Sequence, residues 1–468
     1  MTPILNLLVA LAVTVPTDNL NWPNFLAIPA PDQLAEGSIP VTWQAGQHLW
    51  QVKLPGKGQS SPVIWDGIAY VTSIEGTMKE QCCVTAVSTT TGEILWSKQF
   101  AAAHPIRSNY FQCRAASTPV ADADGVVAFF ETGNLVAFDR QGAERWQIDL
   151  QEKYGAFEST IGLAASLTQI GASVFALIDH EGESYLLAVD KQSGVEQWRT
   201  ERFSRSSYSS PAVVTIGGKP HIVCSSDGSV DGYDPTSGEQ LWTFEDVGAN
   251  SQNTPMAISD GLFLVGASPG MHDARENQAR TSNFCIKVTP NNSEYEVEVL
   301  WRTDPKVMSH FASPMTYQGL AYWVTKVGIV HCYRVATGEL LYQERLQAGQ
   351  CWATPLGIGN RIYFFGKDGH TTVIAAGEKF EVMAENQLWE PTEAAANAPG
   401  AVASRRPSGG AAAHTAGPPH AQEDQAAALA QGENRFADPV QYAVVLQPGG
   451  FLIRSGEQLN FVGSGVKK

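Results

Sequence analysis

Residues 86–96 read AVSTTTGEILW, residues 188–198 read AVDKQSGVEQW, and residues 232–242 read GYDPTSGEQLW. A slightly shorter copy, AFDRQGAERW, fills 137–146, and CYRVATGELLY at 332–342 ends on Tyr in place of Trp. Weaker endings fall at Trp50, Trp301 and Trp389. Self-similarity of this kind marks a repeat architecture, in which each unit buries its apolar face against its neighbours.

A second phrase pairs two small residues with a proline and then β-branched or apolar residues. It occurs at Ser60-Ser61-Pro62, Ser117-Thr118-Pro119, Ser209-Ser210-Pro211, Asn253-Thr254-Pro255, Ala312-Ser313-Pro314, Ala353-Thr354-Pro355 and Ala437-Asp438-Pro439. A degenerate copy, Ala165-Ser166-Leu167, fills the one gap. The first seven copies recur at roughly 40 to 60 residues, the size of a propeller blade, and the eighth follows the Ala/Pro/Gly-rich stretch.

Each unit parses into four short strands. An apolar stretch follows the proline, a turn such as Trp65-Asp66-Gly67 leads to a second strand, and Ile74-Glu75-Gly76 or Lys367-Asp368-Gly369 turns into a third. The Trp phrase then opens the fourth. Proline at the start of the first strand sits where its missing N–H does least harm. The eighth unit has strands at 441–446, 450–453 and 458–462 and then runs out of chain. Residues 47–53 are a strand without partners, so pairing them with the last three closes the ring and removes two sheet edges. The expected fold is all-β: an eight-bladed propeller of four-stranded antiparallel blades, closed by an N-terminal strand that completes the last blade.

Composition agrees. Charged residues make up 17% of the chain, against 43 Gly, 12 Trp and 13 Tyr, a mix suited to short strands, tight turns and aromatic filling between sheets. A net charge of −16 with no Lys/Arg cluster excludes nucleic acid as the expected partner. The apolar run 4–15 is too short to span a bilayer and reads, with its flanks at 1–17, as a signal peptide. Residues 391–435 are rich in Ala, Pro and Gly and read as a disordered insertion in the last blade connection. The propeller is therefore expected over 40–390 and 436–464. The seven cysteines, at 82, 83, 113, 224, 285, 332 and 351, do not make a disulfide framework for a chain of this length.

The Ala-x-Asp-x-x-Thr-Gly-Glu-x-x-Trp phrase resembles the tryptophan-docking repeat of quinoprotein propellers. The whole chain is similar to bacterial PQQ-binding-like β-propeller repeat proteins of the quinoprotein alcohol dehydrogenase-like superfamily. Their opening resembles residues 54–62, LPGKGQSSP, and their closing resembles 379–388 and 451–459. The resemblance implies that Trp50, Trp96, Trp146, Trp198, Trp242, Trp301, Tyr342 and Trp389 dock blade against blade, which is a structural role.

Enzymes of that superfamily use PQQ and calcium to oxidise alcohols or sugars. That chemistry needs hard oxygen ligands, a carboxylate base and cations for the quinone carboxylates. The one suggestive element here is Cys82-Cys83, since some quinoprotein dehydrogenases hold a vicinal disulfide against the cofactor. The pair lies in a third-strand stretch, where neighbours point to opposite faces and do not favour a disulfide. No haem, zinc-protease, nucleophile-elbow, P-loop or dinucleotide motif occurs, so no catalytic or metal residue is assigned. Residues just before the Pro phrases should cluster at one mouth of the channel: Gln59, Arg114, Tyr208, Gln252, His310 and Trp352 are the candidate ligand-binding ring. The expected function is a non-catalytic binding or scaffold module, monomeric, with a protein or peptide partner and no cofactor, exported to the periplasm or cell surface. The alternative is a PQQ- and calcium-dependent dehydrogenase. Similar propellers that scaffold outer-membrane protein insertion carry a lipidated N-terminal cysteine. The first cysteine here is Cys82, so the expectation is a protein that is not a lipoprotein.

Overall fold

The computed structural model describes residues 20–27, 39–106, 113–159, 161–269, 275–390 and 439–464. The segments expected as a signal peptide, 1–17, and as a disordered insertion, 391–435, lie outside them. The described residues form eight four-stranded antiparallel sheets and two short helices, Leu150–Tyr154 and Glu276–Ala279. Seven blades are continuous in sequence: the first comprises Val63–Trp65, Ile68–Glu75, Gln81–Ser88 and Ile94–Ala101, and the others repeat that order as far as Val382–Gln387.

The eighth blade is composite. Its inner strands are Gln441–Gln447, Gly450–Ser455 and Gln458–Gly463, and its outer strand is Trp50–Lys53, paired Trp50 to Phe461 and Lys53 to Gln458. The two ends of the chain thus share one sheet, and the ring closes through ladder hydrogen bonds.

The second and third strands are the buried ones, Gly125–Phe129 and Asn134–Phe138 along their whole length, while Lys219–Ser226 and Phe284–Asn291 are exposed at one end. Outer strands alternate, as Glu294–Arg302 does with Glu294, Glu296 and Glu298 outward and Tyr295, Val297 and Val299 inward. Hydrophobic clusters lie in the seams between neighbouring sheets; one joins Tyr70, Val84 and Ala86 of the first blade to Val126, Val136 and Phe138 of the second.

In six blades the pairing of third and fourth strands slips just after the residue facing the aromatic of the phrase, between Ala86 and Val87, Ala137 and Phe138, or Ala188 and Val189 for example, and in blade seven it slips after Val373, which faces Ala384. A bulge bends and twists the strand locally, and here it recurs at the start of the fourth strand.

The register corrects the eighth Pro phrase. Trp65 pairs Ile68 across the first hairpin of blade one, three residues after Pro62; Gln447 pairs Gly450 in blade eight. Val444 therefore holds the proline position and Ala443 the hydroxyl position, whereas Pro439 precedes the strand. Residues 437 and 438 lie outside the described residues. A residue pattern carries no register, and pairing alone fixes it.

Candidate functional site

The first strand of every blade runs along the channel from the Pro phrase to the first hairpin turn. At the phrase end, the hydroxyl at the second position of six successive phrases accepts from the backbone of the preceding blade. Ser61 N–H donates to Thr118 Oγ1 (3.0 Å), Thr118 to Ser166 Oγ (3.1 Å), Ser166 to Ser210 Oγ (2.9 Å), Ser210 to Thr254 Oγ1 (3.0 Å), Thr254 to Ser313 Oγ (3.0 Å) and Ser313 to Thr354 Oγ1 (3.2 Å). This explains why the degenerate third copy keeps Ser166 while losing its proline: the hydroxyl satisfies a buried N–H.

Above this ring stand the candidate residues. Gln59 and Arg114 are joined twice, Gln59 N–H to Arg114 O and Arg114 N–H to Gln59 Oε1, both at 3.0 Å. Tyr208 reaches the neighbouring phrase through its N–H to Ser251 O (2.7 Å), next to Gln252. Trp352 is half-buried, 4.9 Å from the Phe311 ring and 5.7 Å from the Tyr442 ring. Tyr442 in turn shares a narrow crevice with Lys57, Gln59 and Arg114. An aromatic arc on blades six to eight thus adjoins an amide and guanidinium corner on blades one and two.

His310 is not the ring residue of its blade. It is 4% exposed and lies behind Phe311, ring centroids 4.0 Å apart, with its Nδ1 3.2 Å from Gln350 Nε2. Phe311 directly precedes Ala312-Ser313-Pro314, and the period of two turns its neighbour away. Phe311 and Tyr442 were both missed; counting two back from each hydroxyl would have found Phe311, but two back from Ala443 is Gln441, and Tyr442 stands in the bulge between Gln441 and Ala443.

The outer rim has its own pattern. Trp96 Nε1 donates to Arg140 O (2.8 Å), Trp146 to Lys191 O (2.9 Å), Trp198 to Pro235 O (3.1 Å), Trp301 to Val335 O (2.8 Å), and Trp50, from the closing strand, to Thr89 O (3.1 Å). Each indole covers a left-handed glycine of the next blade, Gly142, Gly194, Gly238, Gly338 and Gly92 in that order. A Cβ on Gly142 would come within 2.8 Å of the Trp96 ring. Three positions differ. Trp242 folds over its own blade onto Gly232 and donates to His221 Nδ1 (3.2 Å), because the next blade turns through Asn291-Asn292-Ser293 and lacks the Thr-Gly phrase. Tyr342 meets Phe380 at 5.7 Å, and Trp389 lies on Gly369 of its own blade.

The residues do not fit a quinone with calcium. Cys82 and Cys83 are free thiols in the third strand of blade one. Cys82 Sγ points to Thr132 Oγ1 (3.5 Å) of blade two, while burial pushes its thiol up to about 12 and that of Cys83 up to about 11. The strand stands two places out from the channel. The mouth offers amides, rings and a guanidinium rather than the carboxylate oxygens that calcium requires. Among the described residues, no three His, Cys, Asp or Glu side chains gather as a metal site. A hollow of about 740 Å³ lies elsewhere, along residues 40–49 and 463–464, and is walled largely by one connecting segment.

One further feature of the mouth face escaped the sequence. Phe203, just beyond the outer strand Glu196–Arg202, is 81% exposed although its surroundings are pinned. Arg202 is buried against Asp179 (2.9 Å) and Asp231 (3.3 Å) and also bonds Tyr233. Burial disfavours its charge, but Asp179 holds the guanidinium well above its ordinary pKa. Arg205 bonds Ser229 Oγ (2.8 Å) and Asp231 (3.2 Å), and Ser206 Oγ donates to Glu181 Oε1 (2.6 Å). Exposed Glu181, Glu183 and Glu201 surround this loop.

The family model described as outer membrane protein assembly factor BamB matches residues 40–215 and 175–278. The outer membrane protein assembly factor BamB of Burkholderia pseudomallei is 27% identical over 232 residues, 49% of this chain and 56% of that protein. The BamB of Shewanella oneidensis is 25% identical over 235 residues, 48% of this chain and 52% of that protein. The chain spans about half the length of these curated relatives. The crystal structure of BamB from Moraxella catarrhalis superposes with a TM-score of 0.56 at 13% identity, covering 88% of this chain and 98% of that one, a likeness of fold.

Proposed function

The chain belongs to the PQQ-like repeat family described as outer membrane protein assembly factor BamB, and from that premise we propose that it is a non-catalytic scaffold propeller working with protein partners in outer-membrane protein assembly. The observation that carries this reading is the family match, which spans the first blades together with the Phe203 loop. Export to the periplasm follows from the same reading. No helix among the described residues is long and apolar enough to cross a membrane.

The Phe203 loop is the contact surface this reading favours. A large aromatic held in water by a pinned backbone gains free energy when a partner covers it, and aromatic anchors dominate protein interfaces. The acidic residues around it favour a partner with basic groups flanking an apolar pocket.

Deleting the gene from its host and quantifying β-barrel proteins in the outer membrane tests the reading. We expect their level to fall, to recover with the wild-type gene, and to recover poorly with Phe203→Glu although that variant folds. Unchanged β-barrel levels on deletion would overturn the proposal. So would dye reduction by the purified protein supplied with PQQ and calcium.

A further inference from the structure

The turn end of the channel, opposite the candidate mouth, is not open. Residues 20–27 cross it. Trp22 exchanges two backbone bonds with Ile64 on the first strand of blade one, both at 2.8 Å. Asn21 Oδ1 accepts from Asp66 N–H (2.9 Å) in the turn that follows. Pro23 O accepts from Ala121 N–H on blade two (2.9 Å) and from Gln169 Nε2 on blade three (3.3 Å). Leu20 and Trp22, the latter 2% exposed, join a cluster with Ile358 of blade seven and Leu446 of blade eight. Leu26, turned by a left-handed backbone (φ 54°), packs against the cluster that holds Met256 and Leu264 of blade five. Eight residues therefore reach six or more blades from the axis.

We propose that this end of the propeller is a peptide-receptor site, and that residues 20–27 are its ligand, supplied in cis. Recognition has the two parts that strand addition uses. Backbone pairing with Ile64 sets direction and register, and pockets take alternate side chains, Leu20 and Trp22. Proline at 23 suits the site because its own N–H is not needed, while its carbonyl takes two donors. The segment that fits is thus an extended Leu-x-Trp-Pro strand followed by a turn that delivers a leucine. Seating it covers the turn end of the channel and leaves the mouth at Gln59, Trp352 and Tyr442 for ligands of the axis. The proposal stands apart from the scaffold reading, since it concerns the opposite face.

The sequence linking the segment to the ring, residues 28–38, permits a test on the folded full-length chain. A protease site placed there is cut after folding, and the nicked protein is passed over a sizing column. We expect the wild-type segment to co-elute with the ring and the Trp22→Ala segment to be lost. After removal of the segment with mild denaturant, a labelled synthetic peptide DNLNWPNFLA should rebind, and its Trp→Ala analogue should not. Separation of the wild-type segment on the column, or equal retention of both, would overturn the proposal. A second measurement avoids the nick: in intact Trp22→Ala, amide exchange at Ile64 and Ala121 should quicken at least tenfold while Ser166 N–H keeps its rate. Unchanged rates at Ile64 and Ala121 would contradict it equally.

Discussion

Two rings hold the blades together, and they differ in how far each repeats. The inner ring of hydroxyls runs without interruption from Ser61 to Thr354, seven blades joined by six bonds of 2.9–3.2 Å. The outer ring of indoles follows one rule at Trp50, Trp96, Trp146, Trp198 and Trp301 and departs from it at Trp242, Tyr342 and Trp389. Near the axis the strands converge, so a small side chain must meet a fixed N–H at a fixed distance. At the rim the blades splay apart and a large ring can find another surface, as Trp242 does on Gly232 and His221. The inner ring is bound by geometry; the outer ring carries the large aromatic contacts.

If that division holds, the rim should cost most to break. Trp96→Ala removes contacts with Tyr70 and Phe138 and the bond to Arg140 O. We expect it to destabilise by about 3 kcal/mol in urea unfolding, the low end for Trp→Ala because the ring is half-buried. A loss below about 1 kcal/mol, within the range of an ordinary substitution, would show that the indole is ornamental.

Gly142→Ala attacks the same seam from the other side. It places a side chain in a left-handed backbone (φ 82°) and into the Trp96 ring. The expected loss is about 2 kcal/mol from backbone and crowding together. Gly228→Ala also has a positive φ (90°) but nothing near its Cβ, and should lose only the backbone share. Equal losses in the two variants would argue against glycine–indole docking.

The inner ring should respond less to one deletion. Ser166→Ala strands the Thr118 N–H and is expected to cost about 1–2 kcal/mol. Ser166→Thr should restore most of it. If Ser166→Ala matched Trp96→Ala, the ranking of the rings would be reversed.

The smallest effect is a pH response confined to one joint. Trp242 donates to His221 Nδ1, which can accept only when that nitrogen is unprotonated, and burial lowers the pKa of His221. Because the unfolded chain takes up the proton first, this joint loses stability as pH falls below about 6.5, the ordinary histidine value, and stops losing it once the folded pKa is passed. Unfolding midpoints between pH 7.5 and 5 should fall more in wild type than in His221→Gln. Parallel profiles would remove His221 from the docking rule.

Much of this was legible in the chain. The Trp phrase and the Pro phrase are local patterns, and each blade is a local hairpin series, so blade number, strand order and the partnerless 47–53 strand could be read in one dimension. The same logic names Gln59 and Trp352 as candidates for the mouth. The eighth phrase misled because 437–439 matches in composition while pairing puts Ala443 and Val444 in those positions.

Sequence alone determined the propeller, because a repeat imposes its period on every hairpin and closure then follows from strand number. Tertiary structure decided what the repeats share across space. Thr118 meets Ser166, Tyr442 meets Trp352, and Trp22 meets Ile64 only when blades far apart in sequence are brought around one axis. Those contacts depend on register and on which face a side chain takes, and neither is written in the order of residues.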